Sequence, residues 1–319
     1  MIDQKMMNNN YKATVNELRE AVIETIVFFD LFNYPLTNWE IWQNLRFESS
    51  LNVLENVIDG LLVQKNISQK EGFCFLPNRE ELIGIRRERY NYANYKIKLA
   101  RRASRLFRLL PSVKLVAVSN LIGHHNLRNE SDIDIFIVSS PHRLWLARLY
   151  CTGLMKIMNK RPTKQCKRNK MCLSFYASVD GLNMESLRFK PDDPYFDHWF
   201  LGLYPIYDED RYLSYLRFKN PWLKNSFPNS LLLKDKFPDN YWQRNLLEKI
   251  FFCVGDLLNF IARKIQVAIM PPTLKKLASQ KSGVVITDSV LRFYLNDRRA
   301  EFHQKYYSHL ADFKVYEQR

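Results

Sequence analysis

The chain has 319 residues, room for two or three modest domains, and its 46% hydrophobic and 25% charged composition excludes a disordered polypeptide. A formal net charge of +15 favours polyanionic partners: nucleic acid, nucleoside triphosphate or an acidic membrane surface. Five scattered cysteines (Cys74, Cys151, Cys166, Cys172, Cys253) fit neither a disulfide framework nor a zinc knuckle, which points to a reducing, cytoplasmic setting. The opening MIDQKMMNNNYK lacks the apolar core of a signal peptide. Phe251 to Met270 is the most hydrophobic long window, but Asp256, Asn259, Arg263 and Lys264 interrupt it, so a buried helix is expected and no membrane span.

Residues 1–78 read as a small module. Leu18, Val22, Ile26 and Phe29 give Val15 to Phe29 a helical period. Tyr34-Pro35-Leu36-Thr37 breaks it, and Thr37 with Glu40 three residues later forms a capping box for a helix through Leu45. A third helix is predicted over Leu51 to Gln64, then a hairpin pairing Ile67 to Gln69 with Phe73 to Leu76. Three helices and a hairpin are the order of a winged helix. A DNA-reading winged helix presents basic side chains on its third helix, and this one offers Asn52, Glu55, Asn56 and Asp59 with no Lys or Arg. Docking or dimerisation therefore suits the module better than DNA reading.

Residues 79–110 read as a basic linker helix carrying Arg86, Arg87, Arg89, Lys96, Lys98, Arg101, Arg102, Arg105 and Arg108. Such a run either lines a phosphate groove or is a solvated helix face. Leu99, Ala103, Leu106, Phe107 and Leu110 supply an apolar stripe for docking.

Residues 111–190 hold the stretch with the clearest chemistry. An apolar run at Val116 to Val118 leads into a polar loop with Gly123, His124, His125 and Arg128, and a second run starts through Ser131-Asp132-Ile133-Asp134. In a strand, Asp132 and Asp134 project to one side while Ile133, Ile135 and Ile137 enter the core. Two carboxylates about 5 Å apart repel by roughly 3 kcal/mol at an effective dielectric near 20, so one protonates or a cation sits between them. Hard carboxylate oxygens suit Mg²⁺. Ser139-Ser140-Pro141 is expected to start a helix running from His142 to Met158, followed by a basic segment (Lys160, Arg161, Lys164, Lys167, Arg168, Lys170) and a strand over Met171 to Ser178. Ser174, Tyr176 and Ser178 are expected on one face of that strand. Residues 191–319 read as a helical domain. Its aromatics serve core packing, its longest helix spans Trp242 to Ala268, Val284 to Ile286 is briefly extended, and Asp288 to Leu310 is helical.

Strand, polar loop and a D-x-D opening the next strand, here Ser119-Asn120-Leu121 and Asp132-Ile133-Asp134, resemble the DNA polymerase beta-like nucleotidyltransferase superfamily, in particular its small bacterial and aminoglycoside-modifying branches. FFDLFNYPLT resembles the start of winged-helix units fused to such enzymes, and Leu203 to Tyr207 a helix that covers their substrate cleft. The resemblance implies an α+β fold: a nucleotidyltransferase core with a mixed sheet, a winged-helix-like module before it and a helical domain after it. It implies a Mg²⁺ cofactor at Asp132 and Asp134, and nucleotide binding by Ser119, Asn120, Gly123, Arg128 and Ser131. The partners implied are an NTP, an acceptor bearing a hydroxyl, and nucleic acid as a further candidate. The chain has Asn120 and Leu121 where the family has Gly-Ser, and the family's third acid on the later strand has only Asp180 or Glu185 as candidates. These departures leave two other readings open, a nucleotide- or nucleic-acid-binding pseudoenzyme and a winged-helix DNA-binding regulator.

Overall fold

A computed structural model describes residues 13–120, 122–123, 125–208, 210–230, 246–278, 280 and 283–317. Expectations placed on Leu121, His124 and residues 242–245 lie outside the described residues. The protein is α+β, and the described residues fall into two compact units, one within Met1–Glu88, Pro221–Asp235 and Glu301–Arg319, the other within Arg89–Asn220 and Lys236–Ala300.

The first unit opens with α1 (Val15–Asp30), α2 (Asn38–Gln43) and α3 (Leu51–Val63), followed by the antiparallel hairpin β1 (Ser68–Lys70) and β2 (Phe73–Phe75). Both Thr14 and Thr37 close reciprocal capping boxes, with Glu17 and Glu40 respectively. Leu18, Val22, Ile26 and Phe29 of α1 are buried, as are Leu54, Val57, Ile58 and Leu61 of α3. The hairpin is tied to the helix break by Leu36, whose N–H donates to the Cys74 carbonyl at 2.9 Å. Buried Glu40 accepts from both terminal nitrogens of Arg86 at 2.8 and 2.9 Å and from the Tyr34 hydroxyl at 2.8 Å. That paired guanidinium lies 4.2 Å from the Tyr34 ring centre and 4.5 Å from that of Phe73, so one member of the basic run is an internal clamp. Asn52, Glu55, Asn56 and Asp59 form the exposed side of α3.

The basic helix is α4 (Glu81–Phe107). Beyond it come β3 (Val113–Val118), β4 (Ile133–Ser139), α5 (Leu144–Ile157) and β5 (Met171–Ser178), then α6 (Pro194–Leu201), β6 (Tyr204–Tyr207), α7 (Tyr212–Phe218) and α8 (Trp222–Ser226). The last elements are α9 (Leu246–Ala268), α10 (Pro272–Ala278), β7 (Val284–Ile286), β8 (Val290–Phe293) and α11 (Arg299–Glu317). A mixed six-stranded sheet of order β6-β3-β4-β5-β8-β7 organises the second unit. Among the described residues only the β4–β5 pairing is parallel, and α5 makes the crossover that a parallel pair requires.

Ile133, Ile135 and Ile137 face one side of the sheet and are 0–1% exposed, packed with Leu144, Trp145, Ala147, Cys151 and Met155 of α5. Each such burial is worth about 1.5–3 kcal/mol relative to exposure, which holds the strand in the register that turns Asp132 and Asp134 away from that core. Helix α9 docks on α5 through the polar residues that interrupt its apolar window. Asn259 Oδ1 accepts from the Leu146 N–H at 3.0 Å, and Arg143 pairs with Asp256.

Several predicted elements are corrected. α5 starts at Leu144 rather than at His142, because His142 adopts a left-handed backbone (φ 57°) that breaks the first turn. Leu203 to Tyr207 was expected to cover a cleft as part of a helix, but Tyr204–Tyr207 is an edge strand on β3. Asp288 to Leu310 is not continuously helical. Thr287 folds a tight turn, its Oγ1 accepting from the Val290 N–H at 2.8 Å, and Val290–Phe293 returns as β8 against β5. The sheet thus takes three strands from the segment read as a helical domain. Near the start of α11, Arg299 (4% exposed) donates to the Leu187 carbonyl at 2.7 Å and to Asp193 at 2.8 Å, while Asp193 caps α6 by accepting from the Phe196 N–H at 3.0 Å.

Candidate metal centre

The site is assembled by three neighbouring strands. The β3–β4 register pairs Val118 with Ile135, and the Ser119 N–H donates to the Asp134 carbonyl at 2.9 Å, extending the ladder by one residue. On the other side Asp134 is paired with Cys172 of β5. Residues directly opposite on paired strands share a sheet face, so Ser119, Asp134 and Cys172 stand abreast. Asp132, two residues before Asp134, joins them. A carboxylate oxygen of each aspartate and the Cys172 sulfur all lie within 4.8 Å of one another.

The electrostatics follow from this crowding. Burial first, and the neighbouring Asp132 charge second, push Asp134 up to about 7, against a lowering by the Cys172 thiol that hydrogen-bonds it. Asp132 is also raised by burial, tempered by Lys167, Lys96 and Arg161. Burial and the nearby Asp134 raise the Cys172 thiol. The same two causes raise Tyr294 and push Tyr195 up to about 12. Alongside, an aromatic cluster packs Phe136, Phe175 and Trp199, with Phe175 stacked 5.3 Å from Trp199.

The loop between β3 and β4 is held from α4. Lys96, 1% exposed, donates to the Asn129 carbonyl at 3.0 Å and to the Ser131 carbonyl, next to Asp132. In sequence it is one of a run of basic residues, and its burial is what distinguishes it. Arg89 donates to Asn126 Oδ1 at 3.0 Å, and the His125 ring packs 4.9 Å from that of Tyr90 and 5.8 Å from that of Tyr204. Gly123 takes a left-handed φ of 81°, which suits a residue without Cβ.

Of the predicted nucleotide-binding residues, Ser119 and Asn120 adjoin the carboxylates. Asn120 Nδ2 donates to the Asp132 carbonyl at 3.2 Å, so Asn120 fastens the loop to the acidic strand. The Ser119 hydroxyl and the Asn120 side-chain carbonyl are buried and have no hydrogen-bond partner. Ser131 turns its hydroxyl back onto the Arg128 carbonyl at 3.0 Å, and the Arg128 side chain is exposed.

Cys172 was not anticipated. The β4–β5 register shifts between the pairs Asp134–Cys172 and Phe136–Phe175, placing one extra residue in β5. Cys172 and Phe175 therefore lie on the carboxylate side, while Tyr176 lies on the core side, its hydroxyl 2.9 Å from Thr152 Oγ1. The common face expected for Ser174, Tyr176 and Ser178 is not kept through the bulge. Ser174 is mostly buried and sits 3.4 Å from the Cys172 sulfur. Asp180 follows β5 at the opposite end, beyond Ser178, which is about 20 Å along the strand from Cys172. Glu185 lies beyond it in a separate turn, Glu185–Leu187. Neither supplies a third acid beside Asp134.

The basic segment between α5 and β5 borders the site. The Ile133 N–H donates to the Lys170 carbonyl at 2.8 Å, and Arg161 donates to the Met171 carbonyl at 3.1 Å. Lys164, Lys167 and Arg168 are exposed along it. No family model matches the chain, and comparison with curated proteins and with solved structures likewise yields no match. Among the described residues, no helix is long and apolar enough to cross a membrane.

Proposed function

We propose that the protein is a divalent-metal-dependent nucleotidyltransferase of the polymerase beta-like kind. The observation that carries the reading is the co-facial placement of Asp132, Asp134 and a third donor on two parallel strands joined by a helix, next to an antiparallel strand that feeds a polar loop. Asp132 and Asp134 would hold a divalent cation, which would supply charge neutralisation for a triphosphate. The exposed cations of the Lys164 to Arg168 segment give the rim a positive field for the phosphate tail. In the reaction an acceptor hydroxyl oxygen bonds to the α-phosphorus, the bond to the bridging oxygen of the β-phosphate breaks, pyrophosphate leaves and the hydroxyl proton passes to water.

The test is incubation with labelled NTPs, Mg²⁺ and cell extract. Label transfer abolished by Asp134→Ala is expected, and identical labelling by the variant refutes the assignment. Asn120 and Leu121 in place of Gly-Ser favour one second reading, a nucleotide binder without turnover. Calorimetry that detects Mg²⁺-dependent NTP binding with no product would select it.

A further inference from the structure

The third donor of the site is sulfur, and this bears on which ion it takes. Mg²⁺ is held by hard oxygen ligands in near-octahedral array, and a thiol is a poor substitute for one of them. Zn²⁺ accepts mixed carboxylate and thiolate donors, and a set of three protein ligands leaves it a fourth position for water or a substrate oxygen. Asp132, Asp134 and Cys172 are such a set, with their ligand atoms within 4.8 Å of one another.

A second observation comes from the neighbouring strand. Ser119 is 2% exposed, its hydroxyl has no partner, and it stands opposite Asp134 on the same sheet face. A buried hydroxyl left unsatisfied is destabilising. A water or phosphate oxygen held at the site's open position would satisfy it.

We infer that Cys172 is the third protein ligand of the Asp132/Asp134 site, and that the site selects Zn²⁺ over Mg²⁺. The inference rests on the metal-site part of the function proposed above and names its ion class. On binding, the sulfur–metal bond forms, the S–H bond breaks and the proton goes to bulk water. Ser119 orients the oxygen at the open position and is a positioning residue.

The experiment uses the full chain with Co²⁺ as a spectroscopic substitute for Zn²⁺, in a Cys166→Ser background because Cys166 is exposed. Added Co²⁺ should produce a thiolate-to-metal charge-transfer absorption in the near ultraviolet. Zn²⁺ should abolish it and a large excess of Mg²⁺ should not. Cys172→Ser should remove the band and lower Zn²⁺ affinity by more than about tenfold, the least that changes outside the ligand shell usually produce. Cys172→Asp, which returns an oxygen donor to the same place, should bind metal without the band and shift preference towards Mg²⁺. This variant decides the matter if circular dichroism shows Cys172→Ser to be unfolded.

A band absent from the parent chain, a band unchanged in Cys172→Ser, or Mg²⁺ competing as well as Zn²⁺ overturns the inference. Nucleotide transfer with Mg²⁺ alongside any of those results leaves the proposed function standing. A Cys172-dependent band with no transfer under any ion removes the function and keeps the site.

Discussion

Replacing Asp134 by Asn removes one of two negative charges whose ligand atoms lie within 4.8 Å. At that separation and an effective dielectric near 20, the repulsion relieved is about 3 kcal/mol. The raised Asp134 carboxyl gives a figure of the same order, with burial contributing more than Asp132. Burial and Asp132 raise Asp134 from 3.8 to about 7, and a shift of roughly three pH units corresponds to about 4 kcal/mol. The sign follows from proton uptake: between those two values the folded protein holds a proton that the unfolded chain has released. Wild-type stability therefore falls as pH rises through that window, and the whole penalty stands above about pH 7. In EDTA at about pH 8, Asp134→Asn should be more stable than wild type by about 2–3 kcal/mol, and at about pH 4 the two should coincide. Saturating divalent ion should reverse the order, because only the wild type offers both carboxylates. Urea denaturation at the two pH values, with EDTA or metal, reads all four conditions. An Asp134→Asn protein no more stable than wild type at high pH without metal would refute the account of the pair as a strained, cation-seeking site.

Lys96→Met removes the buried ammonium that donates to the Asn129 and Ser131 carbonyls. With charged hydrogen bonds worth about 1.5–3 kcal/mol each and some desolvation recovered, a loss of about 2–4 kcal/mol in denaturant stability is expected, with weaker metal binding in calorimetry. An unchanged denaturation midpoint would show that the loop before Asp132 does not depend on it. Asp193→Ala takes away one of the two carboxylates paired with the buried Arg299 guanidinium, leaving Asp297, and removes the α6 cap, so it should cost about 2–4 kcal/mol. Asp193→Asn should cost less. Equal midpoints for the two variants would argue that charge is irrelevant there.

What was legible in the sequence is what local rules govern. The capping box at Thr37 and Glu40, the alternation from Ile133 to Ile137 and the helical period of α1 all rest on near neighbours, and each is found. Asp132 and Asp134 meet because the i, i+2 relation fixes their common side. Cys172 could not be read this way. Its place beside Asp134 depends on pairing between strands separated by a helix, and on a bulge with no glycine to mark it. β8 is hidden in the sequence because Val290-Leu291-Arg292-Phe293 is too short to show a period, although Thr287-Asp288-Ser289 carries a turn signal. Lys96 and Arg86 sit in a run of like charges that gives no hint that these two turn inward. A charge pattern counts residues and does not show which way each side chain turns.

The bulge in β5 gives one strand two independent settings. Upstream of it, the side chain abreast of Asp134 is Cys172; downstream, Phe175 and Tyr176 are committed to opposite layers of packing. A substitution at position 172 can change the donor chemistry without shifting the frame of the residues that fill the interior. Deleting the single extra residue at the bulge would make the pairing regular, with Cys172 still opposite Asp134 and Phe175 still opposite Phe136. The metal preference proposed for the site and the stability of the fold can thus drift separately along the same eight-residue strand.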